Sequence, residues 1–131
     1  MLEAKTSVRV QTVSENIFSR IEGAPTLVQA RLELSYDGEL SGQGSLEELK
    51  IVFSPKRAAM QGLMRFSGTL GLMEGSFVLI HTAKFINGRT TVVQRVAPGS
   101  GTGGFKGIRG KILAEGLSLT DLKAFFRYFF A

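Results

Sequence analysis

The chain has 131 residues, 44% of them hydrophobic and 21% charged, which is long and apolar enough for a single domain (residues 1–131) with its own core. It has no cysteine and one histidine, which excludes disulfides, thiolate metal sites and a cysteine nucleophile and argues against a histidine-built metal centre. The net charge of +5 comes from 16 Lys and Arg set against 11 Asp and Glu, spread along the chain, so neither a basic tail nor a nucleic-acid-binding stripe is expected.

Near the N-terminus, "TSVRVQT" sets Val8 and Val10 against Arg9 and Gln11, the alternation of a half-buried strand. No signal-type apolar region precedes it and no uncharged apolar run approaches the length of a membrane span, so a cytoplasmic protein without membrane contact is expected. Residues 13–25, "VSENIFSRIEGAP", suit a short helical turn with Ser14 as N-cap, ended by Gly23 and Pro25.

"TLVQARLELSY" follows, with Val28, Ala30, Leu32, Leu34 and Tyr36 on one face and Gln29, Arg31, Glu33 and Ser35 on the other. Asp37-Gly38 is a hairpin signal. In the next strand Glu47 falls in register with Leu49, Ile51 and Phe53, and so points inward with them; a slip of one residue would exchange it for Glu48. After the break at Ser54-Pro55-Lys56, Ala58, Met60, Gly62, Met64, Phe66 and Gly68 oppose Arg57, Gln61 and Arg65, with the methionines as core filling.

Phe77, Leu79, His81, Ala83 and Phe85 then oppose Ser76, Thr82 and Lys84, and Asn87-Gly88 marks a second hairpin. Gln94 shares a face with Val92 and Val96. One-sided alternation of this kind indicates antiparallel pairing, and strands joined mostly as neighbours read as an eight-stranded meander closed into a barrel. The last segment, "SLTDLKAFFRYFFA", is ambiguous. Leu122, Phe125, Phe126, Phe129 and Phe130 fit a helical stripe, whereas as a strand Phe126, Tyr128 and Phe130 would share one face.

The stretch "PGSGTGGFKGIRGK" contains Gly99-x-Gly101-x-x-Gly104, a string that matches a dinucleotide fingerprint. Its context does not. The strand before it is half polar, Pro98 ends that strand, and glycines at 104, 107 and 110 are a poor start for the helix the fingerprint requires. Ile112 after Gly110-Lys111 rules out a phosphate loop of the Walker type. A glycine-built crossing is expected instead, with Phe105 plugging one end of the barrel and Lys106 and Arg109 facing solvent or capping the loop.

Gly68-Thr69-Leu70, Gly75 to Thr82, Val96 to Gly103 and Gly107-Ile108-Arg109-Gly110 together resemble a bacterial family of unknown function. That family is similar to allene oxide cyclases and dirigent proteins, whose barrels carry a glycine-rich stretch like residues 101–110. The resemblance implies an all-β, closed, antiparallel eight-stranded meander barrel, and it implies that residues 126–130 are a strand. Gln94 stands where many members have Trp, and Ile80 where Gln is frequent.

An apolar interior with a few polar groups suits a small hydrophobic or amphipathic ligand. The candidate ligand contacts are Tyr36, Glu47, His81, Gln94 and Tyr128, with no metal and no cofactor. Glu47 and His81 form a candidate acid/base pair for a cofactor-free cyclase or isomerase. Phe125 and Phe129, exposed in the strand reading, suit a subunit contact, hence a homo-oligomer and the further alternative of a non-catalytic assembly module.

Overall fold

A computed structural model describes residues 1–117 and 121–131, so residues 118–120, the start of the ambiguous last segment, lie outside the described residues. The described residues form eight strands, β1 (Leu2–Ser19), β2 (Thr26–Gly38), β3 (Leu40–Ser54), β4 (Arg57–Leu70), β5 (Met73–Ile86), β6 (Arg89–Val96), β7 (Ile108–Gly116) and β8 (Leu122–Phe130). One 3-10 turn, Gly103–Phe105, lies between β6 and β7. Each strand pairs antiparallel with the next, and β1 pairs with β8 from Leu2↔Tyr128 to Val8↔Leu122, which joins the strands in a ring.

The ring is strongly staggered. From Thr6 the partners run through Ala124, Ala114, Val92, Ala83, Met60 and Lys50 to Val28 on β2. Thr6's own partner on β2 is Gly38, ten residues from Val28. Strands so displaced must tilt steeply against the ring axis.

Two expectations from local pattern give way to pairing. Residues 13–19 form no helical turn; β1 runs on through them, with Val13, Glu15 and Ile17 opposite Leu32, Ala30 and Val28. A ladder along β2 satisfies this backbone better than one weakly capped helical turn could. The chain reverses only at Ile21–Ala24, where Ala24 N–H donates to the Ile21 carbonyl at 3.1 Å and Gly23 takes φ 80°. The helical stripe in β8 is likewise overridden, because both edges of that strand are taken up by β7 and β1. Phe126 and Tyr128 face inward, while Phe125 and Phe129 stand outside, 45% and 43% exposed.

Asn87-Gly88 is a two-residue hairpin with φ positive at both positions, 49° and 84°. Asp37-Gly38, by contrast, stays inside β2, and the reversal comes at Glu39, tied to β1 by Lys5 N–H donating to its carboxylate at 2.8 Å.

One end of the interior is filled with aromatic rings. Phe66 stacks on Phe77 at 5.0 Å between centroids, Tyr36 meets Phe66 edge-on at 5.1 Å, and Phe77 leads on through Phe126 to Tyr128. Phe105 enters this cluster from the glycine stretch, 5.2 Å from Phe77 and fully buried. Each such ring stabilises the fold by about 1.5–3 kcal/mol through burial.

The glycine stretch also covers a sheet edge. β6 pairs with β5 only from Leu79 onward, so the start of β5, paired with β4 on one side, has no strand along its other edge. Ser76 N–H donates to Thr102 Oγ1 at 3.1 Å, Val78 N–H to Ser100 Oγ at 3.0 Å, and Thr102 N–H to the Ser76 carbonyl at 2.8 Å. A Cβ on Gly75 would overlap the Thr102 carbonyl oxygen, and one on Gly101 that of Phe105, so this close approach requires glycine at both.

Candidate functional site

At mid-height in the ring, Ala30, Glu48, Gly62, His81, Gln94 and Ile112 are successive register partners across β2 to β7. Glu48 and His81 are therefore two strands apart, about 10 Å at the backbone. Gly62, between them, has no side chain to stand in the way. Over it His81 Nε2 lies 2.8 Å from Glu48 Oε2, with both side chains buried.

Glu48, not Glu47, is thus the interior carboxylate. Glu47 points outward and pairs with Arg31 at 2.6 Å, both well exposed. Leu49, Ile51 and Phe53 share that outer face, 57%, 38% and 41% exposed, while Leu46, Glu48 and Lys50 turn inward. The register that β2 and β4 impose on β3 decides this against the apolar run, because a shift of one residue would eject Leu46.

Hydrogen bonds extend from the pair. Gln94 Nε2 donates to His81 Nδ1 at 3.0 Å, so the ring proton sits on Nε2 and is donated to Glu48. Gln94 Oε1 accepts from the Tyr36 hydroxyl at 3.4 Å, and that hydroxyl also reaches Met64 Sδ at 3.2 Å. Burial pushes the Tyr36 hydroxyl well above the ordinary phenol range, and its bond to Gln94 offsets this only in part, so Tyr36 stays a neutral donor. Donation runs one way, from Tyr36 through Gln94 and His81 to Glu48.

The other Glu48 oxygen, Oε1, faces Lys50 Nζ at 3.9 Å, and the same ammonium lies 3.6 Å from Glu15 Oε1. Glu48, Lys50, His81, Gln94 and Thr90 form the polar side of a cavity of about 40 Å³; Leu32, Leu46, Met60 and Val92 are among its apolar walls. At about 10–15 Å³ for each water, that is room for roughly three.

Of the ligand contacts expected from sequence, Tyr36, His81 and Gln94 come together at this cavity. Glu47 does not, for the reason above. Tyr128 does not either: it stacks on Phe126 at the aromatic end, beside Ala4 and Leu70. Lys50 and Thr90 also line the cavity; the sequence pattern marks neither, although Lys50 has the same inward parity as Leu46 and Glu48. No group of three His, Cys, Asp or Glu among the described residues could hold a metal ion, and no described helix is long and apolar enough to cross a membrane.

The family model described as "Protein of unknown function (DUF3224)" matches residues 4–117. The chain belongs to the DUF3224 family. A crystal structure of a DUF3224 protein of unknown function from Shewanella oneidensis MR-1 superposes with a TM-score of 0.83 at 22% identity, over 100% of this chain and 98% of that one, and shows that the two share a fold. A search of curated proteins finds no match. The DUF3224 assignment accords with the bacterial family of unknown function that the glycine-rich motifs resemble; it carries no activity with it.

Proposed function

We propose that this DUF3224 ring is a closed barrel of the allene oxide cyclase-like and dirigent-like kind, and that it binds a small amphipathic molecule in its interior. The observation that carries this reading is the 40 Å³ cavity set against the buried Glu48–His81–Gln94 chain with Lys50 beside it. Burying an ionised carboxylate is costly. A core needing only to be filled would be served at least as well by apolar side chains. Polar groups converging on an otherwise apolar cavity are what a ligand site requires.

Native mass spectrometry of the purified protein tests this. A co-purified small molecule, lost in a Leu46→Trp variant that fills the cavity, is the expected result; a ligand-free protein whose stability responds to no small amphiphile would overturn it.

A second reading is favoured by the 2.8 Å contact between His81 and Glu48. In it the barrel is a cofactor-free isomerase or cyclase in which Glu48, held by its hydrogen bond from His81, takes a proton from a carbon beside a carbonyl of the bound molecule. The electron pair moves onto that carbonyl oxygen as an enolate, and Glu48 returns the proton, or a deuteron exchanged from solvent, to carbon. Incubation in heavy water then leads to deuterium on a carbon of the bound molecule with the wild type and none with Glu48→Gln. Equal incorporation by both proteins would rule catalysis by Glu48 out.

A further inference from the structure

The cavity is too small for a whole amphipathic molecule and admits a polar head of a few atoms. The rest of the molecule must lie outside, and the fold offers a surface for it. Among the described residues β8 accompanies β1 only as far as Val8, whereas β1 continues to Ser19. Val13, Glu15 and Ile17 face Leu32, Ala30 and Val28, which are all buried, so these three β1 residues continue the interior face. The contact of Glu15 with Lys50, which lines the cavity, places them at its mouth. There Val13 and Ile17 are 46% and 47% exposed, an apolar lip that continues the cavity wall.

The charges at the head position select its chemistry. Glu48 Oε1 can only accept a hydrogen bond and Lys50 can only donate, and they lie 3.9 Å apart on the same wall. The remaining Glu48 oxygen is already taken by His81. A carboxylate head would meet Glu48, with Glu15 close behind Lys50, and an ammonium head would meet Lys50. A neutral hydroxyl suits both partners, donating to Glu48 and accepting from Lys50.

We propose that the interior of this protein takes the hydroxyl head of an aliphatic alcohol between Glu48 and Lys50, with its chain running out over Val13 and Ile17. This rests on the interior-binding reading above.

The test is calorimetric titration of the full chain at neutral pH with 1-hexanol, 1-octanol and 1-decanol, against octanoate and octylammonium below their micellar concentrations. Octanol is expected to bind at least tenfold more tightly than either charged analogue, with affinity rising about two- to fourfold per added methylene. The double variant Val13→Ser, Ile17→Ser, altered only at exposed positions, is expected to weaken decanol more than octanol and octanol more than hexanol, and so to flatten that chain-length dependence. Lys50→Met is expected to abolish the discrimination against octylammonium. Octanoate binding as well as octanol, or a chain-length dependence the lip variant does not change, overturns the inference and leaves interior binding standing. Failure of every amphiphile to bind, with no co-purified molecule in the mass spectrum, overturns both.

Discussion

His81 and Glu48 meet only because the residue between them in register, Gly62, has no side chain. A Cβ at Gly62 would overlap the Glu47 carbonyl oxygen, so even alanine forces the β3–β4 ladder apart. Gly62→Ala is expected to cost at least about 2 kcal/mol in urea denaturation, within the range for overpacking. A loss below 0.5 kcal/mol would show that the ladder adapts and that the gap is not required.

Glu48 and Glu47 are adjacent acidic residues with different surroundings. Glu48→Ala leaves His81 without an acceptor and Lys50 short of one counter-charge, and is expected to destabilise by about 3 kcal/mol. Glu47→Ala removes an exposed ion pair and is expected to change stability by less than about 1 kcal/mol. Denaturant midpoints of the two variants decide the question, and equal losses would contradict the register described for β3.

The donor chain fixes the tautomer of His81. As the one histidine of the chain, it gives a single set of imidazole nitrogen signals. Nitrogen-detected NMR is expected to show the proton on Nε2 and an acceptor-type Nδ1, and Gln94→Leu to remove the hydrogen bond at Nδ1. A proton found on Nδ1 alone would reverse the chain.

Tyr36 makes stability depend on alkaline pH. Its folded-state value lies above the ordinary phenol value of 10.0, so above that pH the unfolded chain gives up a proton that the folded one retains. The contribution is complete below pH 10 and declines as pH rises beyond it. Thermal midpoints from pH 8 to 11 are expected to fall more steeply above pH 10 for the wild type than for Tyr36→Phe; parallel curves would contradict the burial-driven shift.

Phe105 and the edge contacts of its loop act together. Phe105→Ala empties the space beside Phe66 and Phe77 and is expected to cost about 3–5 kcal/mol. Thr102→Val removes the acceptor of the Ser76 amide and is expected to speed hydrogen exchange at Ser76 with little change at Ile80, deeper in the ladder. Uniform acceleration along β5 would mean that the loop does not protect that edge.

How much of this was legible beforehand varies from strand to strand. In β2 and β5 each inward residue from Val28 to Tyr36 and from Phe77 to Ala83 follows strict alternation, because one face is packed and the other wet. β3 reads wrongly on its own: Leu49, Ile51 and Phe53 form the more apolar face, yet they are on the outside. Only the positions of Ala30 and Gly62 on neighbouring strands place Glu48 inward, and pairing register is not a local property of sequence. His81 and Gln94 could be recognised as polar residues on apolar faces. That they touch each other and Glu48 depends on a missing side chain one strand away. In β8 the phenylalanines satisfy two periodicities at once, and the resemblance of the glycine-rich motifs, not the local pattern, favoured the strand.

The pairing of β1 with β8 has a kinetic consequence. The ladder that completes the ring joins Leu2–Val8 to Leu122–Tyr128, so it unites the segments most distant along the chain. Until the last strand has left the ribosome, β1 and β7 each present an open hydrogen-bonding edge beside exposed apolar surface. Closing so long a loop is entropically slow, and the unfinished sheet is prone to pair with its own kind during that interval.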